Sequence, residues 1–210
     1  MPAPAFDRDF WEALWTRTLR DHAEKVAQRP PNRHVIDQAG GLSAGHALDA
    51  GCGHGAESLW LASRGWKVTA VDVSEAALAH GRRQATAACP GLASRIAWHQ
   101  RDLAEWSPEP RAYDLVVMAY VHIPGDVSAA VQRLAAGVAP GGTLLLIGHQ
   151  ALDPETGEPT IAAAQVQVSL ADVAALNAHD WTPVVAEHRP RAAGGGVDAV
   201  ICLRRACAAS

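Results

Sequence analysis

Cysteine is scarce and unpaired in this chain: Cys52, Cys89, Cys202 and Cys207 form no CxxC pair and no framework spacing. That excludes a disulfide scaffold and leads to the expectation of reduced thiols in the cytoplasm. No block of like charge accompanies the formal net charge of −4. A dedicated DNA or RNA binder is therefore disfavoured, because phosphate neutralisation dominates that affinity. The longest apolar runs, LVVMAYV and TLLLIG, are strand-sized, so no membrane partner is expected. The opening MPAPAFDRDFW lacks the basic-then-apolar order of a secretory signal, and the expected localisation is cytoplasmic. There is no internal repeat and no low-complexity linker. What the chain does have is 49 % apolar residues over 210 positions, enough for one full core that buries roughly 70 % of the unfolded surface.

Residues 46–74, HALDAGCGHGAESLWLASRGWKVTAVDVS, read as a complete half-site for a nucleotide-type cofactor. An apolar run ends in Asp49 and Ala50, glycines follow at 51, 53 and 55, then a helical pattern, then a second apolar run ending at Asp72. That order is strand, glycine loop, helix, strand with an acid at its tip. Glycines allow positive φ and close approach of a ligand. The helix that begins near Gly55 points unpaired N–H groups into the loop. Asp72 lies 21 residues after Gly51, where a strand-end carboxylate takes both hydroxyls of a ribose, or else caps the helix that starts at Val73-Ser74.

The spacing Gly51-Cys52-Gly53-His54-Gly55 is GxGxG, whereas a dinucleotide fingerprint is GxGxxG. Asp49 precedes the glycines, and a third acid, Asp102, closes the later run IAWHQRDL. Three carboxylates around one pocket suit a cation better than a pyrophosphate. S-adenosylmethionine, with a sulfonium, an ammonium and one carboxylate, fits. The ordered set resembles the class I S-adenosylmethionine-dependent methyltransferases, from about Trp11 to Arg205. Within them, FWEALW, the glycine-loop stretch, AYVHIP and LAAGVAPGGTLLLIGHQ are similar to small single-domain tellurite-resistance-like methylators of small molecules. NPPY and DPPY, and the metal-binding acids of catechol-type enzymes, are missing.

The resemblance implies an α/β fold: a Rossmann-like, doubly wound, mostly parallel seven-stranded sheet that ends in an antiparallel hairpin. It implies one domain over 1–210, with lid helices in 1–44, a cofactor-binding core in 45–150, and a loop, short helix and hairpin in 151–210. Gly51, Cys52, Gly53 and Gly55 are expected around the methionine part, with Asp49 near its ammonium. Asp72 and Val73 are expected at the ribose, Asp102 and Leu103 at the adenine, and Met118 at the cofactor from the fourth strand. No metal is expected, since Cys52 and His54 lack partners at zinc spacing. Trp106 either covers the adenine or packs in the core, and Trp60 reads as core. Trp11 and Trp15, four apart on a helix, form either an apolar lid or a packing stripe.

The remaining patterns fill in the outline. A helix through Phe10, Trp11, Leu14, Trp15 and Leu19 stops at Arg29-Pro30-Pro31-Asn32, and a short one spans about 34–39. Ser74 caps a helix to about Ala88 that ends at Pro90-Gly91. Strands are expected at 95–100, 113–120 and 143–148, with a helix at 126–138 stopped by Ala139-Pro140-Gly141-Gly142. Leu152 to Thr160 reads as a polar loop, and Ser169 as the cap of a helix to Leu176. Strands at 181–189 and 198–205 are joined by a turn at 192–196.

Acceptor chemistry belongs after the strand ends, where open α/β sheets place their ligands. Tyr120 can orient a substrate or simply pack. His122 and His149 can each serve as general base or as a hydrogen-bonded structural group. The expected function is methyl transfer to a small-molecule O, N, S or chalcogen nucleophile, leaving S-adenosylhomocysteine. The alternatives are a silent S-adenosylmethionine-binding sensor or partner subunit and, further off, an NAD-dependent oxidoreductase. A monomer and a homodimer are both compatible with the sequence.

Overall fold

A computed structural model describes residues 6–152, 157, 167–174, 176–190 and 196–207. Most of the expected LDPETGEPT loop, and the 192–196 turn apart from Gly196, lie outside the described residues.

Helix α1 (Arg8–Ala27) is capped by Asp7, whose carboxylate accepts from the Phe10 N–H, and it kinks at His22. Helix α2 (Arg33–Ala39) follows, capped by Asn32. Then come β1 (His46–Ala50), α3 (Ala56–Ser63), β2 (Lys67–Asp72), α4 (Glu75–Ala88), α5 (Pro90–Ala93), β3 (Ile96–Gln100), β4 (Tyr113–Ala119), α6 (Val127–Ala136) and β5 (Val138–His149). A 3₁₀ turn at Leu170–Val173, β6 (Trp181–Pro190) and β7 (Val197–Arg205) complete the chain.

The strands form one seven-stranded sheet in the order β3-β2-β1-β4-β5-β7-β6. Pairings from β3 through β5 are parallel, while β5–β7 and β6–β7 are antiparallel. This is the Rossmann-like sheet with an antiparallel hairpin at one edge. Both faces of the parallel part are covered, which is why β4 and β5 read as continuous apolar runs. On one face α2, α3 and α4 pack Val35, Leu61 and Leu78 over Ala47, Leu115 and Val117. On the other, α6 sets Val131 and Leu134 against Leu48, Val116 and Leu144. Leu115 is fully buried, so truncation to alanine should cost about 2–5 kcal/mol. The strand order reverses between β1 and β4, and their C-terminal ends part to leave a crevice.

Three boundaries differ from the sequence expectation. Pro90-Gly91 opens α5 instead of merely stopping α4: Cys89 turns extended and Pro90 takes the first helical position, where its missing N–H costs nothing. Helix α6 ends at Ala136, and β5 already starts at Val138 and runs through Pro140 and Gly141; a register shift between Tyr113 and Leu115 of β4 absorbs the irregularity. The helix expected from Ser169 to Leu176 is only the 3₁₀ turn. Asp172 holds its start by accepting from the Ser169 N–H at 2.8 Å.

Candidate cofactor and acceptor site

After β1 the chain turns through Gly51-Cys52-Gly53-His54-Gly55 into α3. Gly51 and Gly53 have φ of +76° and +51°, which side-chain-bearing residues rarely adopt. The turn is stitched to β2: Gly51 and Cys52 donate N–H bonds to the Val71 carbonyl at 2.8 and 2.9 Å. The Gly53 N–H donates to Asp72 Oδ2 at 2.8 Å, and the Ser74 N–H donates to Oδ1 at 2.9 Å. Burial pushes the Asp72 carboxyl up from its ordinary range, against these N–H groups, which favour the ionised form. Gly55 backs onto β3. A Cβ there would lie 2.4 Å from the Trp98 ring, and one on Gly81 of α4 would lie 2.5 Å from the same atom.

A cleft opens over this loop at the C-terminal ends of the strands. Gly51, Gly53, Asp72 and Val73 line one wall, with Asp102 and Leu103 beside them. Asp102 accepts from the Ala104 N–H at 2.8 Å. Tyr120 and His122 face them from beyond β4, and Trp11 and Trp15 close the top. The His122 ring stacks under Phe6 at 4.8 Å and lies 5.4 Å from Trp11, while Trp15 meets His54 at 5.7 Å. About 120 Å³ of free space remains beneath these rings. Small-ligand sites hold ~300–1,000 Å³, so the cleft is narrower than such sites with the aromatic rings in this position.

Five expected site residues do not line the cleft. Strand alternation turns Asp49 toward α3, where the Ser58 hydroxyl donates to it at 2.6 Å. Burial and then the Glu57 charge push the Asp49 carboxyl up to about 8. Cys52 is buried in the same layer, its thiol pushed well above the ordinary value, first by burial and then by the Asp49 charge. Gly55 lies behind the loop against Trp98. Met118 is fully buried in the α6-side core, because β4 directs alternate side chains inward. His149 sits behind Tyr120, the two rings stacked at 3.8 Å. Trp106 packs against the core and Trp60 is half-buried on the opposite face. Burial, ahead of the charges of Arg29 and His80, lowers His54 to about 4, so it is neutral at neutral pH.

Four residues that the sequence reading passed over join the site. Asp198 of β7, fully buried, accepts from the Tyr120 hydroxyl at 2.7 Å and meets His149 Nδ1 at 2.8 Å and His34 Nε2 at 3.6 Å. Gln167 accepts from the His149 N–H at 2.6 Å, and its Nε2 reaches His122 Nε2 at 2.9 Å. Glu12 of α1 binds the start of α4. The one acid in the apolar run VDAVICL was a readable signal for Asp198; Gln167, His34 and Glu12 offered none. Among the described residues, no group of His, Cys, Asp and Glu is placed to hold a metal ion. Among the described residues, no helix is long and apolar enough to cross a membrane.

Residues 47–142 match a family model described as a methyltransferase domain. The chain is 32 % identical over 136 residues to a trans-aconitate 2-methyltransferase of Paracidovorax citrulli, covering 63 % of this chain and 49 % of that protein. It is 34 % identical over 112 residues to a ubiquinone biosynthesis O-methyltransferase of Sodalis glossinidius, covering 52 % and 43 % respectively. The chain thus spans about half the length of these relatives. Among solved structures it is similar to the N-methyltransferase NodS of Bradyrhizobium japonicum, at a TM-score of 0.69 and 20 % identity over 93 % of this chain and 98 % of that one.

Proposed function

We propose, from the premise that this chain belongs to the class I S-adenosylmethionine-dependent methyltransferases, that it passes a methyl group to a small-molecule nucleophile by in-line displacement. The observation that carries the reading is Asp72: a carboxylate at the tip of β2, bound to the glycine loop through Gly53 and lining the cleft at the strand-order reversal. The names of the relatives, two of which act on trans-aconitate or in ubiquinone biosynthesis, support a small acceptor.

The residues suit the cofactor. The cleft offers acids and apolar surface, as a cationic nucleoside requires, and the positive-φ glycines leave its floor open. A carboxylate has about four acceptor positions; two on Asp72 are taken by N–H groups, and the others can receive ribose hydroxyls. Asp102 and Leu103 are assigned to the adenine, Val73 to the ribose edge, and Gly51 and Gly53 to the methionine part. Asp49, bound to Ser58 behind the loop, does not line the cleft. When bound, S-adenosylmethionine supplies a sulfonium-activated methyl group. Tyr120 and His122 face the acceptor, with His149 behind them, and Trp11 and Trp15 exclude water.

Calorimetry of the full chain with S-adenosylmethionine and S-adenosylhomocysteine tests the reading. Micromolar binding is expected. Absence of heat at high micromolar ligand, or preferential binding of NAD, would sink it.

A further inference from the structure

Asp198 has no role in the reading above, yet it is a fully buried carboxylate facing partners from three elements: His34 on α2, Tyr120 after β4 and His149 at the end of β5. Such a group gives up its hydration, and an apolar side chain of similar size would pack into β7 without that loss. The fold alone therefore does not call for it. Tyr120 carries an independent mark: its φ is +57°, a left-handed backbone that a bulky residue adopts only where its surroundings enforce it. With that backbone its ring lines the cleft while its hydroxyl donates to Asp198. His122 differs, because its Nε2 already meets the Gln167 amide nitrogen and Phe6 covers its face.

We propose that Tyr120 and Asp198 form a proton relay that deprotonates the acceptor, and that the acceptor is accordingly a neutral hydroxyl compound of the phenol or enol class. The proposal rests on the methyl-transfer reading. As the acceptor oxygen's lone pair forms the new C–O bond, the pair left by the broken C–S bond neutralises the sulfonium. The acceptor's proton passes to Tyr120 Oη, and the tyrosine's own proton passes to Asp198 Oδ2. One positive and one negative charge disappear together, so the buried site ends neutral, and the stored proton later leaves to solvent. Tyr120 is the catalytic residue; Asp198 acts through it, steadied by His149 and His34. An acceptor that is already anionic needs no such relay.

The test uses the full chain with three probes: catechol, 4-nitrophenol above its own pKa, and thiophenol. Failure to bind S-adenosylhomocysteine in calorimetry would overturn the methyl-transfer reading itself, and this proposal with it. With binding in hand, the wild type should methylate catechol, and Tyr120→Phe and Asp198→Asn should lose about 10²–10⁴-fold in turnover with cofactor affinity unchanged. Tyr120→Phe should methylate the pre-ionised 4-nitrophenol within about threefold of wild type, since a missing relay matters only to a proton that is still present. A damaged pocket would depress both probes alike, and that result overturns the proposal. Without turnover, catechol should bind about tenfold more weakly to the product-loaded Tyr120→Phe protein, the loss of one hydrogen bond; anisole should bind both proteins equally. Turnover confined to thiophenol, or no hydroxyl probe bound or methylated by a cofactor-binding protein, also overturns it. Should Asp198→Asn fail to fold, Tyr120→Phe decides alone, because it removes a single oxygen.

Discussion

Glu12 of the first helix accepts a hydrogen bond from the Ser74 hydroxyl at 2.7 Å, and it also takes the Ala76 N–H at 3.2 Å. A residue of α1 thereby caps the helix whose N-cap sits two positions beyond Asp72. The proposed lid and the proposed ribose acid are coupled through three residues of backbone.

Glu12→Ala should release that latch. Loss of a capping acceptor costs about 0.5–2 kcal/mol. The expected signature is faster amide exchange in α1 and at the start of α4, with a weaker affinity for S-adenosylhomocysteine. Unchanged exchange in α1 would show that Trp11 and Trp15 hold the lid without it.

Asp72→Ala strips two N–H groups, those of Gly53 and Ser74, of their acceptor. Cofactor affinity should fall by about 1–3 kcal/mol, the cost of leaving such partners unpaired. Titration calorimetry reads the loss directly.

Gly53→Ala places a side chain at φ +51°, with its Cβ 3.0 Å from the Trp15 ring. Backbone strain and the displaced indole both act on the lid. A cost of about 1–3 kcal/mol in thermal stability is expected, together with a change in Trp15 fluorescence that Trp15→Phe abolishes.

Asp49 makes stability depend on pH with a defined sign. Its carboxyl titrates near 8 in the folded chain and near ~3.9 in the unfolded one. Between those values the folded state holds a proton that the unfolded state has released, so stability falls as pH rises. Melting temperature should decline from about pH 4 to about pH 8. Asp49→Asn, which keeps an acceptor for Ser58, should flatten that decline and show no advantage at the acid end.

The glycine-loop wall of the cleft was legible because its determinants are local. The glycine loop, Asp72 and Asp102 fall within one βαβ unit and the strand after it, and their order along the chain mirrors their order around the cleft. Asp49 and Met118 were assigned to the same pocket from sequence position, but the two-residue alternation of a strand sends their side chains into the core layers. The facing wall was less legible because its partners are remote in sequence. Tyr120 and Asp198 stand 78 positions apart, and they meet only because β7 inserts between β5 and β6. His122 and His149 read from the sequence as a pair of strand-end histidines; no local pattern announces that Gln167 bridges them.

Trp98 occupies the space that a Cβ on Gly55 or on Gly81 would need. One indole thus sets the permitted size of the residue at the N-cap of α3 and of a residue within α4. Substitutions at these positions are epistatic by geometry. Trimming residue 98 removes the ring clash for alanine at 81 and leaves the His54 carbonyl oxygen 3.1 Å away to give slightly, whereas Gly55, at φ +87°, stays constrained even then. Trimming Trp98 alone leaves a void between β3, α3 and α4. Among diverging copies of this chain, positions 81 and 98 should therefore drift as a pair and position 55 should not drift at all.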